Sequence, residues 1–168
     1  MKKLYKVNPT NMHAIKNTYN IISAMDKYKN LSFDTFLECR DSIFMYAYAP
    51  DCVPIIINGI IACRRTTMDR TNVPELLFYC QPNKIMYSIE CLYLFADVGL
   101  RRHEIARYLI EACIKDKNDA FISIKIHESD LNSDLNDELS SIGFYKEFFD
   151  DGIYTFIKRP TVQTDRGN

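Results

Sequence analysis

The chain has 168 residues, 47% of them hydrophobic and 26% charged, with 21 basic and 22 acidic side chains and a formal net charge of −1. That composition fits one globular domain, which buries about two-thirds of its unfolded surface without a covalent staple. The charge balance speaks against a dedicated nucleic-acid binder and against a polybasic membrane-surface domain. No apolar run reaches the ~18 residues of a membrane helix. The basic start, Met1 to Lys6, leads into no apolar stretch, so no signal peptide is expected. The six cysteines stand far apart, several inside apolar runs. They match neither paired zinc ligands nor a disulfide framework, and read as buried free thiols in a reducing compartment. Abundant Ile, Asn, Lys and Tyr beside only 5 Gly suggest AT-rich coding, as in some viruses, phages and intracellular bacteria.

Leu4-Tyr5-Lys6-Val7 alternates as a short strand ended by Asn8-Pro9. Helical spacing follows from Asn11 to about Asp26, with Met12, Ile15, Tyr19, Ile22 and Met25 along one side. Ser32 or Asp34 caps a second helix that turns Phe33, Phe36 and Leu37 inward. Ser42 to Ala49 suits either a continued helix or a strand. Asn58-Gly59, flanked by isoleucines, predicts a tight hairpin followed by a polar loop, with a short strand from Leu76 to Cys80. Ile85 to Ala96 reads as a central strand buried on both faces, and Arg102 to Asp116 as an amphipathic helix with an outward Glu111–Lys115 pair. Phe121 to Ile126 is a strand. A weak helix from Ser129 closes on Gly143, and the strands Tyr145 to Phe149 and Ile153 to Lys158 meet at Asp150-Asp151-Gly152. Residues 1–159 form one domain, and 160–168 read as a disordered tail. The order β-α-α-β-β-β-α-β-α-β-β implies an α/β fold, a mixed twisted sheet flanked by helices.

Two features could carry chemistry. The strand-to-helix junction, Leu94-Phe95-Ala96-Asp97-Val98-Gly99-Leu100-Arg101-Arg102-His103-Glu104-Ile105-Ala106, places free backbone N–H groups and a positive helix end where an anion could dock. Glu90 is an ionisable group inside an apolar strand, which is costly without a partner or a task. It is either a base whose pKa burial has raised, or a structural carboxylate bonded to a neighbouring strand or to an arginine. The three histidines share no metal-ligand spacing and read as surface or loop residues. Cys91 faces away from Glu90, which argues against a cysteine nucleophile paired with it. Arg64-Arg65 and Arg70 read as solvated.

On these residues the chain resembles the GNAT superfamily of acyl-CoA-dependent N-acetyltransferases, over about residues 3 to 158. The family's phosphate-binding motif Q/R-x-x-G-x-G/A maps onto Arg101 to Ala106, with Glu104 in place of the first glycine. A later family pattern, N-x-x-A-x-x-x-Y-x-x-x-G-F, maps onto Asn132, Gly143 and Phe144, with Leu135 for the alanine and Leu139 for the tyrosine. The resemblance implies acetyl-CoA as donor co-substrate and no metal. The backbone at Leu94, Phe95 and Ala96 would hold the thioester carbonyl. Arg101, Arg102, His103, Glu104, Ile105 and Ala106 would cradle the phosphates, with Asn132 nearby. Glu90 would deprotonate an amine on a small molecule or protein, followed by direct attack. No nucleic-acid or membrane partner is implied; a homodimer is compatible, and the compartment expected is the cytoplasm, that of the host for a viral chain. Two departures favour an alternative, a catalytically degenerate member kept as a binding or assembly module. Glu104 adds like charge near phosphate, costing about 2 kcal/mol per pair at ~7 Å and an effective dielectric of ~20. Leu139 lacks the hydroxyl that in the family faces the thiol.

Overall fold

The structure is a computed structural model that describes residues 2–48, 57–67, 87–96, 102–115, 117 and 120–160. Strand β1 (Lys2–Lys6) leads into helix α1 (Met12–Ser23), whose cap, Asn11, accepts the Ala14 N–H at 3.0 Å. A single 3-10 turn, Asp26–Tyr28, separates α1 from α2 (Phe33–Leu37), which Ser32 caps through the Thr35 N–H. The inward stripe of α1 is Ile15, Thr18 and Ile22, while Met12, expected on the inward side, is exposed.

The ambiguous stretch is strand β2 (Ile43–Tyr48), antiparallel to both β1 and β3 (Gly59–Thr67). The expected tight turn at Asn58-Gly59 is not there. Gly59 already pairs with Tyr46 and Ala96, and the Asn58 N–H bonds the Tyr46 carbonyl, so both residues are part of the β2–β3 pairing. Two ladders outweigh the local turn preference of Asn-Gly. The stretch predicted as polar loop is strand through Arg64 to Thr67, held by pairing with β4 (Tyr87–Ala96). The strand proposed at Leu76 to Cys80 lies outside the described residues, as does the tail from residue 161.

Helix α3 (Arg102–Ile114) crosses to β5 (Phe121–His127), parallel to β4. Helix α4 (Ser133–Ser141) is capped by Asn132, and ends where Gly143 takes φ +97°. Gly143 N–H meets the Ser140 carbonyl and Phe144 N–H the Leu139 carbonyl, the two bonds of a Schellman motif. Strands β6 (Tyr145–Asp150) and β7 (Ile153–Lys158) form a hairpin whose turn residues, Asp151 and Gly152, both have positive φ, as a two-residue turn requires.

The sheet order is β1-β2-β3-β4-β5-β7-β6, with β4 at the centre as its sequence predicts. One core, under α1 and α2, gathers Ile15, Ile22, Phe36 and Ile60. The other, under α3 and α4, gathers Ile61, Ile89, Leu109, Ile124, Leu139 and Phe156. Arg107 joins Glu111 on its own helix at 3.1 Å and Glu138 on α4 at 2.7 Å, so Glu111 serves this cross-helix link. Among the described residues no helix is long and apolar enough to cross a membrane.

Candidate functional site at the splayed strands

Facing β3, the β4 strand carries one extra residue: Ala62 pairs with Tyr93 and Cys63 with Cys91, which leaves Leu92 unmatched. Such a bulge bends a strand. On the other side β4 and β5 pair in parallel from Ser88–Phe121 to Cys91–Ile124 and then separate. Each stays bonded to its outer neighbour, β4 to β3 as far as Ala96 and β5 to β7 as far as His127. The result is a wedge at the carboxyl ends of a parallel pair joined by a crossover helix, the position where open α/β sheets bind ligands.

A cleft of about 220 Å³ fills this wedge. Leu94, Ala96, His103, Ala106, Ile126, Asn132 and Leu135 line it from the side of α3 and α4. From the other side come Lys27 and Tyr28, with Lys125, His127 and Asp130 at the end of β5 and in the loop after it. The Tyr28 hydroxyl donates to the Leu94 carbonyl at 2.8 Å and accepts the Leu94 N–H at 2.9 Å. The Lys27 ammonium reaches the same carbonyl at 3.3 Å and the Asp130 carboxylate at 3.2 Å. The Leu94 backbone expected to hold a ligand is therefore engaged by two side chains, those of Tyr28 and Lys27.

Of the residues singled out from the sequence, Leu94, Ala96, His103, Ala106 and Asn132 meet at this cleft. Asn132 spends its side-chain oxygen on the Leu135 N–H at 2.8 Å, as the cap of α4. Glu104 and Ile105 share the first turn of α3 but do not line the cleft: Ile105 packs on the core and Glu104 is half-buried. Arg101 and the side chains of Phe95 and Arg102 lie outside the described residues.

Glu90 is not enclosed in apolar surroundings. Ile89 and Cys91 turn to the core under α3, whereas Glu90 shares the opposite face with Arg64, its register partner on β3. Arg64 Nε and Nη2 both meet Glu90 Oε2 at 3.0 Å, and its Nη1 meets Glu38 at 2.8 Å. Glu38 first, and Glu90 after it, hold this guanidinium still more firmly protonated than usual. Glu90 Oε1 lies 3.8 Å from the Lys125 ammonium, which connects it to the cleft wall. The expectation that β4 is buried on both faces fails at this residue, because Arg64 and Lys125 supply the partners that a carboxylate needs.

Sequence reasoning missed Lys27, Tyr28, Lys125, His127 and Asp130. Only His127 and its neighbours carried a signal, since they end the strand that follows a crossover from the central one. The His127 Nδ1 meets the Ser129 N–H at 3.2 Å and the Ser129 hydroxyl at 2.7 Å, which ties the ring to the loop after β5. Cys39, Cys63, Cys91 and Cys113 are buried free thiols. Burial pushes the Cys39 thiol up to about 12, far from a nucleophile's range. Among the described residues no three potential ligands gather as a metal site.

No family model and no curated protein matches the chain. Solved structures match it end to end. The NatC complex bound to Gag peptide and CoA superposes with a TM-score of 0.66 at 15% identity, over 95% of this chain and 99% of that one. NAA60 of Arabidopsis thaliana in complex with acetyl-CoA gives 0.66 at 12%, over 95% and 99%. The ribosomal-protein-S18-alanine N-acetyltransferase from Escherichia coli gives 0.60 at 12%, over 99% and 98%. The chain has the GNAT fold. At these identities the likeness is one of fold, and the bulged β4 splaying from β5 is the part of that GNAT fold that builds the cleft.

Proposed function

We propose that the protein is an acyl-CoA-dependent N-acetyltransferase that binds its donor in the β4–β5 wedge. The observation that supports this most is the Leu94 backbone: its N–H and C=O point into the wedge as an unpaired strand edge would, and a single hydroxyl satisfies both. A ligand arm carrying amides fits such an edge, and Ala106 gives it room beside α3. The structural neighbours include proteins solved with CoA or acetyl-CoA. Backbone N–H groups at the start of α3 would take the donor's phosphates.

The donor supplies a thioester carbonyl open to attack by an amine. The acceptor arrives as an ammonium and must first lose a proton. Glu90 is the candidate acceptor of that proton through an intervening water, using Oε1, the oxygen not tied to Arg64. Lys27 and Lys125 border the approach, and the 3-10 turn before α2 forms its rim.

One observation favours a second reading, a module that binds without turnover: Arg64 grips Glu90 with two nitrogens, as a structural ion pair would. Thermal unfolding with CoA, followed by thiol release from acetyl-CoA with peptide, amino-acid and polyamine acceptors, tests both. CoA at ~100 times its dissociation constant should stabilise the fold by about 2.7 kcal/mol. No stabilisation at millimolar CoA would end the donor-site reading, and stabilisation without thiol release for any acceptor would favour the module.

A further inference from the structure

Leu94 faces Ile61 of β3 in the ladder, yet it gives both of its backbone groups to Tyr28. In an antiparallel pair alternate residues turn both groups away from their partner strand. Leu94 is such a residue, and its N–H and C=O point into the gap that opens beyond Cys91–Ile124. The Tyr28 hydroxyl stands there as one acceptor and one donor, the pair an amide would present if laid along β4. Lys27, next in the chain, bonds the same carbonyl and the Asp130 carboxylate. The Asp26–Tyr28 turn is thereby tied to both walls of the cleft.

We propose that Tyr28 is a displaceable stand-in for the amide-bearing arm of the donor. Its hydroxyl holds the Leu94 N–H and C=O until the arm takes them, and donor binding releases the Asp26–Tyr28 turn from β4. This rests on the donor-site reading above and adds to it a residue that sets donor affinity. Ligand and hydroxyl compete for the same two groups, so Tyr28 weakens binding of any donor that carries the arm. It leaves the nucleotide end of the donor unaffected, since that end does not reach Leu94.

The test is calorimetric titration of CoA, and of adenosine 3′,5′-bisphosphate as a nucleotide without the arm, into the full chain and two variants. Tyr28→Phe keeps the ring and removes the competitor. It should bind CoA about tenfold more tightly, as expected for removing one displaced contact of ordinary strength, with the bisphosphate unchanged. Lys27→Met cuts the tie to Asp130 without touching the ring, and should tighten CoA by a smaller factor; it also serves if Tyr28→Phe does not fold. Equal or weaker CoA binding in both variants overturns the proposal, as does an equal gain for the two ligands. CoA binding that is the same in all three proteins sinks only the stand-in, whereas absence of CoA binding in every protein sinks the donor-site reading and the stand-in together.

Discussion

Replacing Glu90 by glutamine separates the structural use of this carboxylate from a chemical one. Its Oε2 receives two nitrogens of Arg64 at 3.0 Å, with the two side chains 18% and 28% exposed. A charge-assisted bond that is fully buried contributes roughly 1.5–3 kcal/mol, and an exposed ion pair about 0–1 kcal/mol. Glutamine retains an oxygen for Arg64, and Arg64 retains Glu38 at 2.8 Å. The loss should therefore be about 1 kcal/mol, which lowers Tm by roughly 2–4 °C in a chain of this size. CoA affinity should not move, because Glu90 does not line the cleft. If Glu90 takes the acceptor's proton, kcat for thiol release falls by roughly 10²–10⁴-fold while folding and donor affinity persist. Thermal unfolding, CoA calorimetry and thiol-release kinetics on one preparation read all three quantities. Full turnover at the slightly lower Tm would refute the base role and leave Glu90 as one arm of the Arg64 network. A fall in Tm of about 10 °C would instead refute the energetic reasoning.

Glu104→Gly should cost about 1 kcal/mol, from lost helix propensity and a lost favourable charge in the first turn of α3. CoA affinity should stay within about twofold, since the side chain does not line the cleft; tenfold tighter binding would place that carboxylate against the phosphates after all. Alkaline stability should report on Cys39, whose thiol burial holds at about 12 against 9.0 in the open chain. Above pH 9 the unfolded thiol ionises while the folded one keeps its proton, so each unit up to about 12 removes about 1.4 kcal/mol of stability. Denaturant midpoints from pH 8.5 to 10.5 should fall less steeply for Cys39→Ala than for the parent, and equal slopes would show that burial does not hold the thiol protonated.

The parts of the fold that were legible were those fixed by neighbouring residues. The Gly143 cap, the Asp151-Gly152 turn, the α3 stripe and the central apolar strand follow from local conformational preference and periodicity. Asn58-Gly59 misled for the complementary reason, because a turn preference of this size yields to ladders on both sides of Gly59. The cleft was legible along β4, α3 and Asn132, and illegible where it depends on contacts across long stretches of chain. Nothing local in Asp26-Lys27-Tyr28 marks it as the partner of Leu94. Glu90 announced only that it needed a partner; Arg64 was in view as a solvated arginine, and pairing across β3 and β4 joined the two.

The same distinction decides what Leu139 means. Read as a motif position, it is a missing hydroxyl and counts against activity. In the fold it is 1% exposed, one turn beyond Leu135 on the inward stripe of α4, and its carbonyl closes the Schellman cap with Phe144. Leu135 lines the cleft and Leu139 does not, so a larger polar side chain at 139 would meet the core under α3 before it met a ligand. Packing thus gives the leucine at this position a structural use of its own. Among the described residues the tyrosine hydroxyl that the fold brings to the cleft is that of Tyr28, which comes from the turn between α1 and α2 and rests on the central strand. The substitution that interrogates the cleft is therefore at Tyr28.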